Sequence, residues 1–208
     1  MRDIAAELKA LRLYGMAGAW SDLTAHGTTS LDTSTWLIEH LMQAEGTDRH
    51  MRSIASQMSA ARFPVHRDLA GFDFASSKVD EPLIRQLANT AFTDQAQNLV
   101  FIGGPGTGKT HLATAIGISG TTQYGKRVRF HSTVDLVNVL EKEKRDGHAG
   151  RIARSLMRVD MVILDELGYL PFSQTGGALL FHLLSRLYEH TSVAVTTNLS
   201  FSELVTAR

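Results

Sequence analysis

The segment from Gly103 to Thr110 constrains the fold of this chain more than any other part of its sequence. It reads GGPGTGKT, which fits the pattern G-x-x-x-x-G-K-[ST] of a phosphate-binding loop. The apolar run LVFI precedes the motif. The helix candidate THLATAIG starts at the last residue of the motif, Thr110, and continues after it. Glycines let the backbone curl so that successive N–H groups point inward at phosphate oxygens, and the helix N-terminus adds partial positive charge. Strand, loop and helix together predict a site for a nucleoside triphosphate.

Lys109 and Thr110 stand where the loop meets the helix, and their side chains have different predicted roles. We expect the Lys109 ammonium to reach the β- and γ-phosphates and the Thr110 hydroxyl to ligate Mg²⁺. The predicted ligand is therefore ATP with Mg²⁺. The predicted cofactor-binding residues are Gly103, Gly104, Pro105, Gly106, Thr107, Gly108, Lys109, Thr110 and His111.

From Leu99 onward the sequence alternates between short apolar runs and helical stretches. This alternation predicts an α/β fold with a parallel sheet that helices cover on both faces. The strand candidates are Leu99–Ile102, Val128–His131, Met161–Leu164 and Val193–Thr197. The helix candidates between them are Lys109 to about Gln123, Val134–Lys144 and Gly177–His190.

Polar residues follow the last two strand candidates. Asp165 and Glu166 end the run MVILDE, and Asn198 ends the run VAVTTN. The carboxyl ends of parallel strands form the edge where open α/β sheets bind ligands. We expect Asp165 to hold Mg²⁺ through its water shell and Glu166 to polarise the attacking water. Asn198 can contact the γ-phosphate or that water, so Lys109, Glu166 and Asn198 are the predicted catalytic residues.

Residues 1–62 are predicted to form a helical domain ahead of the α/β part. Apolar stripes predict one helix from Ile4 to Met16, a second around Trp36 to Met42, and a third from Arg49 to Met58. A loop rich in Gly, Thr and Ser is predicted at residues 26–35. The region carries no excess of basic residues, so a helical module that packs on itself or on a neighbour is favoured, and DNA binding by it stays open.

Residues 63–98 are predicted to connect this domain to the α/β core at residues 99–208. Phe63-Pro64 breaks the preceding helix because proline and the residue before it disfavour helical backbone. The stretch Leu69–Phe74 is predicted to be extended, and Pro82–Asn89 is predicted to be helical. Phe72 and Phe74 are candidates for contact with the nucleotide base, although aromatic residues at this spacing are more often core residues.

Composition narrows the classes of site and partner. The net charge is zero. The chain has no cysteine, which excludes disulfides and thiolate metal sites and fits a reducing cytosol. No apolar run approaches the length of a membrane span, so no membrane partner is predicted. The nine histidines are scattered and show no metal-ligand spacing.

Positive charge is concentrated between Lys126 and Arg158, where nine Lys or Arg residues stand against four Asp or Glu residues. Cationic side chains that neutralise phosphates give salt-dependent binding that tolerates sequence variation. The alternative is a solvated helical face, in which Glu141 and Glu143 offset part of the charge. The candidate DNA-binding residues are Lys142, Lys144, Arg145, Arg151 and Arg154.

The order of these motifs resembles AAA+ ATPases, and the surrounding segments closely resemble IstB-like proteins, the ATP-dependent helpers of insertion-sequence transposases. The segments that carry the resemblance are GGPGTGKTHLATAIG, VDMVILDELGYLP, VAVTTNLSFSE, LKALRLYGMAGAW and ARFP…FDF, and they extend over essentially the whole chain. The helicase loader DnaC and the replication initiator DnaA are similar at a greater distance.

The resemblance implies a function and a set of residue roles. Helpers of this family bind double-stranded target DNA, oligomerise on it with ATP, and recruit and stimulate the cognate transposase, in the cytosol and in association with the nucleoid. Lys109, Thr110, Asp165 and Glu166 take the family's two Walker roles, and Asn198 takes its first sensor role. The implied strand order is 5-1-4-3-2, with four of the five core strands present in this sequence.

Three functions remain open at this point: the transposase helper, a DnaC-like loader of a replicative helicase, and a non-hydrolysing DNA-binding or oligomerisation fragment. The third arises because the family pattern continues beyond Asn198 through an arginine finger, a fifth strand and a helical lid, whereas the sequence ends at Arg208.

We therefore expect this chain to bind nucleotide less tightly than a full-length relative and to hydrolyse it slowly. An arginine finger alone changes such rates by about 10³–10⁵-fold. The check is a side-by-side measurement of ATP turnover, and equal turnover by the two proteins would contradict the expectation.

Overall fold

The computed structural model of the protein describes residues 3–25, 34–168 and 173–200. The chain divides into two compact units, Met1–Ser56 and Gln57–Arg208. Residues 26–33 of the predicted loop at 26–35 lie outside the described residues. So do most of the GYLP segment, the end of TTNLSFSE, and Arg208. No helix of the described ranges is both long enough and apolar enough to cross a lipid bilayer.

The described residues form eight α-helices, one 3-10 helix and four strands. The helices are α1 (Ile4–Ala10), α2 (Tyr14–Ala25), α3 (Ser34–Ala61), α4 (Glu81–Leu87), α5 (Lys109–Tyr124), α6 (Thr133–Arg145), α7 (Arg151–Leu156) and α8 (Gln174–Leu187). The 3-10 helix spans Ala91–Gln95. The strands are β1 (Leu99–Ile102), β2 (Val128–Ser132), β3 (Met161–Leu167) and β4 (Ser192–Thr197).

The four strands lie parallel in the order β1-β4-β3-β2. This confirms the predicted parallel α/β fold and the part of the implied strand order that these strands can test. The four predicted strands are all present, and β3 runs three residues further than predicted, through Asp165 and Glu166. Parallel pairing brings the ends of β1, β3 and β4 to one edge of the sheet, where the phosphate loop also begins.

Two apolar clusters fill the space on the two faces of the sheet. On one face α5 packs against β2 and β3, with Ile116, Phe130 and Ile163 in the buried cluster. On the other face α6 and α8 pack against β3 and β4, with Leu136, Leu164 and Leu183 among the buried side chains. Burial on both faces of the sheet explains the continuous apolar runs Met161–Leu164 in β3 and Val193–Val195 in β4.

The N-terminal unit differs from the prediction. The predicted helix from Ile4 to Met16 is wrong: α1 ends at Ala10, Arg12 adopts a left-handed backbone with φ of 60°, and a new helix begins at Tyr14. The helix ends in a Schellman motif, in which the Arg12 N–H donates to the Lys9 carbonyl oxygen and the Leu13 N–H donates to the Leu8 carbonyl oxygen, both at 2.9 Å. The turn allows α2 to approach α3 closely, since a Cβ on Gly15 would lie 2.4 Å from the Ala44 carbonyl oxygen.

The predicted second and third helices are one helix, α3, of 28 residues. The predicted boundary between them, which falls between Met42 and Arg49, lies within this continuous helix. Ion pairs at the i, i+4 spacing hold the helix together there: Arg49 with Glu45, and Arg52 with Asp48. Gly46 itself is tolerated at a cost of about 1 kcal/mol relative to alanine.

Glu45 joins α2 to α3. Its carboxylate accepts hydrogen bonds from the backbone N–H groups of Gly15 and Met16, at 3.0 and 3.3 Å, in the first turn of α2. Burial opposes ionisation of this group, but the hydrogen bonds from Arg49, Met16 and Gly15 outweigh burial and lower the pKa of Glu45. The carboxylate thus caps a helix that no residue of its own sequence caps.

The prediction of an extended Leu69–Phe74 segment is also wrong. The segment is a series of tight turns, in which the Leu69 carbonyl accepts from the Phe72 N–H and Asp68 Oδ1 accepts from the Gly71 N–H at 2.7 Å. Aspartate side chains favour turns because they bond the backbone a few residues ahead. The predicted helix at Pro82–Asn89 is present as α4.

Two adjacent glycines in α8 test the packing of this helix against α6. A Cβ on Gly176 would lie 2.7 Å from Val137 Cγ1, whereas a Cβ on Gly177 would meet no atom within 4 Å. Both Gly→Ala substitutions gain about 0.5–1 kcal/mol of helix propensity. We expect Gly176→Ala to be less stable than Gly177→Ala by about 1–3 kcal/mol because of the added overpacking. Urea unfolding of the two variants measures the difference, and equal stabilities would contradict the packing described.

Candidate nucleotide-binding site

The phosphate loop lies between β1 and α5 and has the backbone conformation that its glycines permit. Gly106 and Gly108 have φ of 74° and 86°, in the left-handed region that side chains disfavour. Gly108 also lacks room for a side chain, because a Cβ there would lie 2.4 Å from the Phe72 ring. The Thr107 hydroxyl donates to the Gly104 carbonyl oxygen at 2.9 Å and stabilises the turn.

The segment Asp68–Phe74 lies against this loop. The Phe72 ring meets the rings of Phe74 and His111 edge-on, with centroid distances of 4.8 and 5.3 Å. His111 Nε2 lies 2.7 Å from the Asp68 carbonyl oxygen, so that the first turn of α5 is tied to the segment. Phe72 thus supports the phosphate loop from the side of the connector, a role that its sequence position did not indicate.

Lys109 is held at the centre of the loop. Its ammonium group donates to the carbonyl oxygens of Gly103 and Gly104, both at 2.8 Å, and to Asn198 Oδ1 at 2.7 Å. The three hydrogen atoms of the ammonium match these three acceptors. Lys109 and Asn198 are far apart in sequence, and the pairing of β1 with β4 brings them together.

Asp165 lies beside Thr110 and is 8% exposed. Its Oδ1 accepts hydrogen bonds from the hydroxyls of Thr110, at 2.8 Å, and of Thr196, at 2.5 Å. The two predicted metal ligands are therefore in direct contact. The backbone carbonyl oxygen of Asp165 accepts a hydrogen bond from the Thr133 hydroxyl at 2.7 Å. In the described part of the chain no three histidine, aspartate or glutamate side chains converge to hold a metal ion by themselves.

Glu166 is exposed at the same edge of the sheet. Its backbone is left-handed, with φ of 61°, and the register between β3 and β4 shifts between Leu164 and Leu167. The Thr196 hydroxyl accepts a hydrogen bond from the Glu166 N–H at 3.0 Å and stabilises this bulge. A bulge redirects a side chain that an ordinary strand would place on a packed face. Glu166 consequently stands in solvent next to the buried Asp165.

The hydroxyls of Thr196 and Thr133 make contacts at the candidate site that no sequence motif indicates. Thr196 was recognised only as part of the strand ending in Asn198, and Thr133 was not singled out. Threonine near the end of a strand is too common in proteins to indicate a site residue by itself. Parallel pairing, which places β4 directly beside β3, was the clue that could have indicated Thr196.

The candidate DNA-binding residues lie in two groups at the far end of α6. Lys142, Lys144 and Arg145 are exposed in its last turn, and Arg151 and Arg154 are exposed on α7. Arg151 and Arg154 line one cavity, which the three α6 residues do not reach. Two other cations of the basic segment are ion-paired, Lys126 with Asp94 and Arg127 with Asp160.

Basic side chains also lie close together near β2, an edge strand of the described sheet. Burial lowers the pKa of Arg129, and the positive charges of Arg62 and Arg127 lower it further. Burial likewise lowers the pKa of His131, with added effects of Arg62 and Arg129 that exceed the opposing effect of Asp135. His131 is therefore a neutral imidazole near pH 7.

Residues 6–206 match the family model described as IstB-like ATP binding protein. A protein of insertion sequence IS5376 from Geobacillus stearothermophilus, named for ATP binding, is 34% identical over 194 residues, which are 93% of this chain and 77% of the relative. The corresponding protein of insertion sequence IS21 from Pseudomonas aeruginosa is 37% identical over 163 residues, which are 78% of this chain and 61% of the relative.

The chain belongs to the IstB-like ATP-binding protein family. The resemblance seen in the sequence motifs is thereby confirmed, and so is membership of an ATP-binding family. The IstB-like chain spans between about three fifths and four fifths of the length of these relatives.

Solved structures place the IstB-like chain in the AAA+ P-loop fold. The DnaC helicase loader superimposes with a TM-score of 0.55 at 25% identity, over 73% of this chain and 85% of that chain. AMPPCP-bound DnaA from Aquifex aeolicus superimposes with a TM-score of 0.56 at 18% identity, over 71% of this chain and 49% of that chain, which is a likeness of fold alone.

Thr196→Val tests the role of the hydroxyl that joins Asp165 to the bulge. The substitution keeps the shape of the side chain and leaves a buried carboxylate oxygen and the Glu166 N–H each short of one partner. We expect the free energy of unfolding to fall by about 1–3 kcal/mol. The matched control is Thr122→Val, which removes a hydroxyl that bonds only the Ile118 carbonyl within α5 and should change stability by less than about 0.5 kcal/mol. Equal losses in urea unfolding would show that the Asp165 contact has no special weight.

Proposed function

We propose that this chain is the ATP-dependent helper of an insertion-sequence transposase. In this proposal it binds ATP with Mg²⁺ at the phosphate loop, hydrolyses ATP, binds double-stranded DNA, self-associates on the DNA and recruits the cognate transposase. The observation that carries the proposal is the direct contact of Thr110 with Asp165 beside the Lys109 ammonium. Family membership and relatives that belong to insertion sequences support the assignment to transposition.

The residues at the loop fit ATP and Mg²⁺. The hydroxyl of Thr110 and the carboxylate of Asp165 are hard oxygen donors of the kind that Mg²⁺ takes alongside phosphate oxygens and water. Bound Mg²⁺ would neutralise charge on the β- and γ-phosphates. The Lys109 ammonium would exchange its contacts with the Gly103 and Gly104 carbonyl oxygens for phosphate oxygens. The loop N–H groups and the first turn of α5 would receive the remaining phosphate charge.

Hydrolysis is assigned to Glu166 and Asn198. Water attacks the γ-phosphorus, its oxygen forms the new bond, the bond to the β–γ bridging oxygen breaks, and ADP and phosphate are released. Glu166 is exposed beside Asp165 and is the carboxylate available to orient the water and accept its proton. Asn198 already contacts Lys109, so its amide lies where it can contact the γ-phosphate or the water.

The DNA-binding part of the proposal relies on charge. Lys142, Lys144 and Arg145 are exposed at the end of α6, and Arg151 and Arg154 are exposed on α7. None of these five forms an ion pair among the described residues, in contrast to Lys126 and Arg127. Unpaired cations on one surface bind DNA through its phosphates with little sequence preference, as a helper that accepts many target sites requires.

The helicase-loader alternative has less support. The likeness to DnaC is one of fold at 25% identity, whereas the sequence relatives at 34% and 37% identity belong to insertion sequences. Purification of the chain from its native host with either a transposase or a replicative helicase bound to it would decide between the two.

Lys109→Ala and Glu166→Gln separate binding from hydrolysis. We expect Lys109→Ala to weaken the binding of a fluorescent ATP analogue by about tenfold or more, since a charged hydrogen bond contributes about 1.5–3 kcal/mol. We expect Glu166→Gln to bind the analogue normally and to hydrolyse ATP about 10²–10⁴-fold more slowly. Lys78→Ala is the control for charge, because Lys78 is an exposed lysine of the connector that lies outside the phosphate-loop motif.

Two results would contradict this assignment. Normal nucleotide binding by Lys109→Ala would show that the loop is not the nucleotide site. DNA binding and self-association that are unchanged both in Lys109→Ala and without ATP would favour the non-hydrolysing fragment over the ATPase.

A further inference from the structure

The turn between α6 and α7 opens a cavity on the surface of the α/β unit. Gly147 and Gly150 have φ of 74° and 85°, which bends the backbone sharply between the two helices. The cavity has a volume of about 250 Å³ and is lined by Gly147, His148, Ala149, Arg151 and Arg154. A second cavity of about 160 Å³ shares Ala149 and extends to His182 and Arg186 of α8.

Two guanidinium groups converge at this turn. A Cβ placed on Gly150 would lie 3.4 Å from Arg186 Nη1 and 3.6 Å from Arg154 Nη1. Arg154 belongs to α7 and Arg186 to α8, so packing of the two helices brings together charges from distant parts of the sequence. Arg186 also donates through Nη2 to Met157 Sδ at 3.7 Å, which orients its side chain beside the turn.

The described structure supplies no carboxylate partner for this charge. The ion pairs among the described residues involve Arg49, Arg52, Arg85, Lys126 and Arg127, and none involves Arg151, Arg154 or Arg186. Glu143 lines the second cavity together with Arg186. Its Oε1 accepts a hydrogen bond from the Ile152 N–H at 2.8 Å, and its Oε2 is buried without a hydrogen-bond partner among the described residues, so one carboxylate offsets part of the charge of the three arginines. Like charges gathered in this way repel each other, and an anion between them would remove the repulsion.

We propose that Arg151 and Arg154 of the first cavity, together with Arg186 of the adjoining second cavity, bind one phosphate group of the DNA backbone at the α6–α7 turn. The inference rests on the proposed DNA binding and adds to it a defined anion site and Arg186, a residue that lies outside the basic segment of the sequence. Guanidinium groups suit this role because their planar N–H groups match phosphate oxygens in pairs. The exposed cations at the end of α6 would contact neighbouring phosphates of the same duplex.

The test compares Arg154→Gln and Arg186→Gln with the unaltered chain in duplex DNA binding, measured by fluorescence anisotropy over a range of NaCl concentrations. Each variant should bind about tenfold more weakly at low salt. The slope of log K against log salt should become shallower by about 0.9 for each DNA phosphate that the variant no longer neutralises. Arg186→Lys keeps the charge and should keep most of the slope. If Arg186 acted only through its contact with Met157, Arg186→Lys and Arg186→Gln would weaken DNA binding equally, because both remove that contact.

The control is Arg85→Gln, which removes one exposed cation that is paired with Glu81 outside the cavity and should leave both affinity and slope unchanged. Binding of the fluorescent ATP analogue by each variant verifies that the fold and the nucleotide site are intact.

The outcomes distinguish the two proposals. If the unaltered chain binds no duplex, the proposed DNA binding fails and this inference fails with it. If the unaltered chain binds duplex and the two Gln variants bind it with the same affinity and slope, the cavity assignment alone is overturned. Inorganic phosphate at constant ionic strength should displace little duplex, because a free phosphate ion lacks the additional contacts that neighbouring DNA phosphates would make with the cations at the end of α6. Release of the duplex by millimolar phosphate would overturn the assignment to DNA in favour of a small anion.

Discussion

The candidate nucleotide-binding site depends on the hydrogen bonds that Asp165 accepts. The Asp165 carboxylate is buried, and a buried carboxylate is stable only where hydrogen bonds replace the water that it has given up. Thr110 at the start of α5 and Thr196 on β4 supply those bonds, while Thr133 at the start of α6 bonds the carbonyl of the same residue. One position on β3 thereby sets the relative placement of two helices and a neighbouring strand, and with them the phosphate loop.

The same geometry relates the two proposed phosphate-binding regions. Helix α6 begins at Thr133, which is hydrogen-bonded to Asp165, and ends at Arg145, just before the turn that leads to Arg151 and Arg154 on α7. Its 13 residues correspond to about 20 Å of rigid helix. The phosphate loop and the proposed anion site at the α6–α7 turn thus lie near opposite ends of one helix, so the two proposed sites do not occupy the same space.

The parts of the fold that were predicted correctly are those whose signal is local. The phosphate loop, the four strands and helices α5, α6 and α8 follow from apolar runs, helical periodicity and glycine pattern within short windows. Two of the parts predicted wrongly are accompanied by contacts between distant residues. The break at Arg12 accompanies the close approach of Gly15 to Ala44, and the turns of Asp68–Phe74 accompany the packing of Phe72 on Gly108. Neither partner is visible from the segment itself.

The sequence by itself determined the phosphate loop, the parallel α/β core and the resemblance to the IstB-like family, because each is encoded by residue types at fixed spacing. Tertiary structure alone decided that Thr196 supports both Asp165 and Glu166, that Asn198 contacts Lys109, and that Arg186 joins Arg154 at the α6–α7 turn. The reason is that strand pairing and helix packing bring these side chains together across 30 or more residues of chain, a distance over which spacing in sequence carries no information about contact.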